Sequence, residues 1–89
     1  MRVGITDEFA EQYWLLQLLL RKKIDKQKQL FESNPHYPSL NLEKLEPHSG
    51  EIWSIRVDSK YRVLLRFSEK ETALFLAVGP HDWIYRQAR

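Results

Sequence analysis

Three arginines, a histidine and a tyrosine in the second half of the chain have the types and spacing to act on a polyanion: Arg56, Arg62, Arg66, His81 and Tyr85. Arg56 lies in the run Trp53-Ser54-Ile55-Arg56-Val57. Arg62 and Arg66 lie in Tyr61-Arg62-Val63-Leu64-Leu65-Arg66-Phe67. Both runs are rich in branched and aromatic residues with a period of two, which reads as strand. If the connecting Asp58-Ser59-Lys60 turns about Ser59, Arg56 lies directly across from Arg62. Like charges at opposed positions are unfavourable. A sheet holds them if acidic side chains intervene or if the face meets a polyanion. The same pattern also describes an ordinary half-solvated sheet face.

His81-Asp82 follows the last strand-like run, so His81 could reach the rim of the arginine face and move a proton near neutral pH, with Asp82 orienting it. The plainer reading makes Asp82 the cap of a short helix starting at Trp83. Tyr85 could donate a proton or stack on a base, or simply pack on the core beside Trp83. His36, His48 and His81 show no metal-ligand spacing. With glycine only at positions 4, 50 and 79, there is no phosphate-cradling loop. No serine sits in a nucleophile-elbow context. Neither a metal nor another cofactor is expected.

The elements that must position these groups follow from periodicity. Phe9, Tyr13, Leu16, Leu20, Ile24 and Phe31 recur at helical steps, with a gap around Gln27 and Lys28. Thr6 or Asp7 can cap the start, and Asn34-Pro35 ends the run. One unbroken helix over 7–33 would span ~40 Å, longer than the roughly 30 Å of a compact domain this size. A hairpin of two helices, broken near Leu16–Leu18, is therefore predicted. Beyond the turn-rich Asn34–Ser39, Leu40–Leu45 is a possible strand and Glu46–Gly50 a turn. Ile52–Val57, Tyr61–Phe67 and Thr72–Val78 are predicted strands of an antiparallel meander, with Gly79-Pro80 ending the last. Trp53, Ile55, Val57, Tyr61, Val63, Leu65 and Phe67 make the floor for the helices. The fold class is α+β, with a helical hairpin (about 7–33) on one face of a curved antiparallel sheet (about 40–79) and a tail (80–89), all within one domain.

With 89 residues and no cysteine, the domain has a thin core and no disulfide to brace it. A protein partner is thus a natural expectation. The start of the chain lacks the apolar run of a secretory leader. The longest apolar stretch, Tyr13–Leu20, is interrupted by Gln17 and is far short of the ~20 residues that cross a bilayer. The expected setting is the cytoplasm, with no membrane association. A net charge of +2 permits nucleic-acid binding without requiring it.

Three segments carry a family resemblance. Asn34-Pro35-His36-Tyr37-Pro38-Ser39-Leu40 with Glu43-Lys44-Leu45 resembles the NPxxPSLxxxKL segment of the RelE/ParE superfamily of toxins. Trp53–Val57 followed by Tyr61-Arg62-Val63-Leu64 is similar to that family's strand pair. Val78-Gly79-Pro80-His81-Asp82-Trp83-Ile84-Tyr85-Arg86 resembles a closing V-G-x-H-D-x-x-Y-R variant. The match spans nearly the whole chain in the right order. It implies a short strand from the N-terminus, for which Arg2–Thr6 serves, and the toxin role in a toxin–antitoxin pair. Its partners would be a cognate antitoxin protein and mRNA on the ribosome, with no small-molecule cofactor. In RelE-like members a ribose 2′-hydroxyl attacks the adjacent phosphate without a metal. Carried over, Arg62, His81 and Tyr85 would be catalytic, and Arg56, Arg62, Arg66 and Lys44 would bind phosphate or RNA. The chain departs from the family in carrying a single Arg56 where many members have extra lysines, and Pro80-His81 in place of a basic pair. A ParE-like DNA gyrase poison and a non-toxic interaction module are the alternatives on the same fold.

Overall fold

Ile24, Gln27 and Phe31 form the buried stripe of one helix, and Phe9 is the buried residue of another. Both helices lie against the same side of a five-stranded sheet in the computed structural model. The structure describes residues 1–45 and 51–87, the last three by backbone alone, so the predicted turn at residues 46–50 lies outside the described residues. In chain order the elements are β1 (Arg2–Ile5), α1 (Asp7–Trp14), α2 (Leu18–Ser33), a 3-10 turn (Pro38–Leu40), β2 (Glu43–Lys44), β3 (Ile52–Arg56), β4 (Tyr61–Phe67), β5 (Thr72–Pro80) and α3 (His81–Gln87). The sheet order is β1-β5-β4-β3-β2. All pairings are antiparallel except β1 with β5, which is parallel and makes the sheet mixed.

The helix break that the length demanded falls between Trp14 and Leu18, close to the predicted Leu16–Leu18. Thr6 caps α1: its hydroxyl accepts from the Phe9 N–H at 3.0 Å and donates to the Leu76 carbonyl at 2.9 Å. Tyr13 clasps the two helices by donating its hydroxyl to Asp25 at 2.7 Å. The exposed tip of the hairpin carries Trp14, Leu15, Leu18 and Leu19, and the Arg21 guanidinium lies 5.0 Å above the Trp14 ring.

The core beneath the helices unites Phe9, Ile24, Phe31, Leu40, Ile55, Val57, Val63, Leu65, Phe75 and Val78. A bulge in β5 makes this possible. Leu64 pairs with Ala77 and Leu65 with Phe75, so Leu76 is the extra residue. The phase therefore shifts, and Phe75 and Val78, three apart, both face the helices.

The bounds of two predicted strands need correction. The last strand does not stop before Gly79-Pro80 but runs through Pro80. Beyond β1, helix α1 flanks that edge of β5, and the Gln12 side chain accepts from the Val78 N–H at 2.8 Å. Pro80 points its nitrogen to the same side, where no ladder donor is required. The predicted strand over Leu40–Leu45 contracts to Glu43–Lys44, because Pro38–Leu40 forms the 3-10 turn and Asn41 closes it in left-handed geometry (φ 45°).

The far side of the sheet is not the open face that alternation leaves as one reading. Helix α3 covers its middle, burying Ile84 against Leu45, Ile52, Leu64 and Ala77. Gly79 lets the helix sit this close, since a Cβ there would lie 2.3 Å from Cε3 of Trp83. Gly79→Ala is therefore expected to push α3 from its seat while the main core stays folded. Tryptophan fluorescence should shift to the red and the Tm should fall by several degrees. An unchanged emission spectrum would contradict this packing.

Candidate functional site

The β3–β4 hairpin brings the arginines together. Arg56 is paired directly with Arg62. The Val57 N–H donates to the Tyr61 carbonyl at 3.0 Å, so the pairs that exchange hydrogen bonds are 57/61, 55/63 and 53/65. Arg56 and Arg62 thus occupy a non-hydrogen-bonded pair, the closer of the two kinds, at about 4.5 Å between Cα atoms. Among the described residues no carboxylate forms an ion pair with either. Arg56 is exposed, whereas Arg62 is partly buried with a buried Nη1 that meets no acceptor among them. Burying part of a guanidinium without an acceptor is costly. An anion arriving from solvent would relieve both this cost and the repulsion between the two arginines.

Arg62 lines an open pocket of about 350 Å³ together with Ser59, Lys60, Pro80, His81 and Asp82. Two tethers build this pocket. The His81 N–H donates to the Lys60 carbonyl at 2.7 Å, fixing the start of α3 to the hairpin loop. Asp58 Oδ1 accepts the N–H groups of Lys60 and Tyr61, both at 2.8 Å, closing the loop. His81 is half exposed and its Nδ1 lies 3.5 Å from the carboxylate of Asp82, a distance for an ion pair rather than a good hydrogen bond. Asp82 sits in the first turn of α3 rather than capping a helix from Trp83, because the helix already starts at His81.

Burial alone would raise the Asp58 carboxyl, but the Tyr61 and Lys60 amides and the Lys23 ammonium, 3.6 Å away, outweigh it and hold it below its ordinary value. A depressed folded value means that the stabilisation is present above the unfolded value, near 4, and is lost as pH falls through the folded one. The Tm gap between wild type and Asp58→Asn should stay constant from pH 5 to 8 and close below about pH 4. A gap that widens on acidification would refute this.

The other sequence candidates fall at different places. Arg66 is exposed on the arginine face, opposite Ile52, but four residues from Arg62, roughly 13 Å along the strand. Lys44 pairs with Trp53, which puts it on the helix side of the sheet, where its ammonium lies 3.5 Å from Glu51. It does not join the arginines. Tyr85 belongs to α3, and its side chain lies outside the described part. Lys60 and Ser59, which periodicity assigned only to a turn, are part of the pocket. Their signal in the sequence was the loop length itself, which sets them beside Arg62. Among the described residues no group of three or more His, Asp or Glu side chains converges as metal ligands. No helix among them is long and apolar enough to cross a membrane.

No family model and no curated protein sequence matches the chain. Solved structures match over nearly its full length. A YoeB/ParE toxin from Agrobacterium tumefaciens superposes with a TM-score of 0.78 at 18% identity, covering 91% of this chain and 99% of that one. YafQ from E. coli strain BL21(DE3) gives 0.76 at 14% identity, covering 96% and 99%. The archaeal RelE–RelB complex from Pyrococcus horikoshii OT3 gives 0.73 at 19% identity, covering 89% and 92%. The chain has the RelE/YoeB toxin fold. In this RelE/YoeB-like fold the arginine pair and the pocket at the start of α3 occupy one end of the outer sheet face, beside the small core under Ile84.

Proposed function

We propose that this chain is the toxin of a toxin–antitoxin pair and that it cuts messenger RNA on the ribosome. The observation that carries the reading is the Arg56/Arg62 pair, set side by side without an acidic partner among the described residues, with His81 lining the same pocket as Arg62. The shared fold of solved RelE, YoeB and YafQ toxins supports it. The reaction needs no group beyond the chain and its substrate. The 2′-oxygen attacks the adjacent phosphorus as its proton leaves, and the bond to the 5′-oxygen breaks as that oxygen gains a proton. The products are a 2′,3′-cyclic phosphate and a 5′-hydroxyl. Arg62 holds the phosphate where negative charge builds, and Arg56 binds it from the neighbouring strand. His81 exchanges a proton with the reacting oxygens. Tyr85 completes the set as proton donor or base-stacking group, and Arg66 contacts RNA farther from the cut. The partner is an antitoxin protein, as in the RelE–RelB complex among the similar structures.

A second reading, a ParE-like poison of DNA gyrase, draws on the hairpin tip, where Leu15 is 86% and Leu19 73% exposed. Patches of this kind mark protein contacts. Induction of the chain without an antitoxin separates the two. RNA cleavage predicts growth arrest with cut messages, and gyrase poisoning predicts DNA damage with intact messages.

A further inference from the structure

All the cations of the candidate site lie on or beside one hairpin, and one buried side chain on the opposite side of the sheet holds its first strand. The backbone N–H and C=O of Arg56 point away from β4, because Arg56 and Arg62 form a non-hydrogen-bonded pair. They face the side where β2 runs, but β2 pairs only with Trp53 and Ser54 and does not reach Arg56. The Arg56 carbonyl is thus left without a strand partner. Gln27 takes that place. Its Nε2 donates to the Arg56 carbonyl at 2.7 Å and to the Ser39 carbonyl at 3.2 Å.

Gln27 is an unexpected residue there. It sits on the inward stripe of α2 between Ile24 and Phe31, 7% exposed, where an aliphatic side chain would fill the same space. A buried amide is tolerated when its donors are taken, and here the two carbonyls take both protons. One turn earlier on α2, Lys23 reaches Asp58 in the hairpin loop. The helix therefore grips the hairpin at the end of β3 and at its turn.

We infer that Gln27 is the positioning residue of the site: through the Arg56 carbonyl it fixes how β3 delivers the Arg56 guanidinium beside Arg62. The consequence for RNA rests on the proposed function, whereas the geometry does not. Gln27 touches no substrate and acts only through Arg56.

Two measurements test this. In the wild-type protein, NMR should detect scalar coupling across the hydrogen bond between Gln27 Nε2 and the Arg56 carbonyl carbon. Its absence overturns the inference, and this arm stands even if no Gln27 variant folds. The second measurement compares Gln27→Leu, Arg56→Ala and the double variant in binding a short single-stranded RNA. Each single change should weaken binding about tenfold, roughly the loss of one phosphate contact. The double variant should bind within about twofold of Arg56→Ala, because both changes remove the same contact. Losses that multiply to about 100-fold would show that Gln27 acts independently of Arg56 and would overturn the inference. If the wild-type protein does not bind RNA, the proposed function fails, and hydrogen exchange decides the positioning role. Faster exchange in Gln27→Leu confined to the amides of residues 56–61 supports it, and unchanged exchange there overturns it.

Discussion

Arg62→Gln is expected to lower the rate of message cleavage by about 100- to 1,000-fold, the usual effect of removing one preorganised donor from a site of developing charge. The same change should leave the fold as stable as before or more so. In the free protein Arg62 opposes Arg56 at close range, and its Nη1 is buried with no acceptor among the described residues. Both features weigh against the folded state. Opposed like charges cost a few tenths to about 1 kcal/mol, and a buried unsatisfied polar group costs about 1–3 kcal/mol. Glutamine keeps much of the stem that packs against the sheet and removes the charge. A Tm equal to wild type or several degrees above it, alongside the loss of cleavage, would mark Arg62 as a residue retained for its ligand. A large fall in Tm would instead make it structural and would remove the main support for the site.

His81→Gln carries the second large effect. General acid–base catalysis by one positioned side chain is worth about 100- to 10,000-fold, so single-turnover cleavage should fall by at least about 100-fold while RNA binding changes little. His81 is half exposed and its main-chain N–H is tethered to the Lys60 carbonyl. Glutamine preserves that backbone bond, so the pocket should keep its shape. A variant that cuts at the wild-type rate would transfer the proton step to another residue, with Tyr85 next to examine.

Much of this arrangement was legible in the residues because it depends on local rules. A three-residue loop about Ser59 sets Arg56 opposite Arg62, and the register confirms that pairing. The helix break near Leu16–Leu18 followed from the length of the apolar run against the size of the domain. Other features depend on contacts far apart in sequence, and periodicity is silent about those. The parallel docking of β1 on β5 joins the two ends of the chain. The bulge at Leu76 was hidden because residues 73–78 are apolar throughout, so no alternation betrays a shift of phase. The face that Lys44 occupies depends on how β2 pairs with β3, which the sequence between them does not declare. The cover of α3 over Leu64 and Ala77 needed Gly79 and Trp83 to be seen together, four residues apart but stacked in space. Gln27 read as a gap in the helical stripe, and the gap is the contact that reaches Arg56.

The most direct measurement is cleavage of a message on purified, programmed ribosomes, with a single 2′-deoxynucleotide placed on the 5′ side of the mapped cut. The arginine pair with His81 predicts that the all-ribose message is cut to a 2′,3′-cyclic phosphate and a 5′-hydroxyl, and that the deoxy-substituted message survives at that position. Cutting of the deoxy message at the same position and rate, or no cutting of either message by the folded protein, would contradict it.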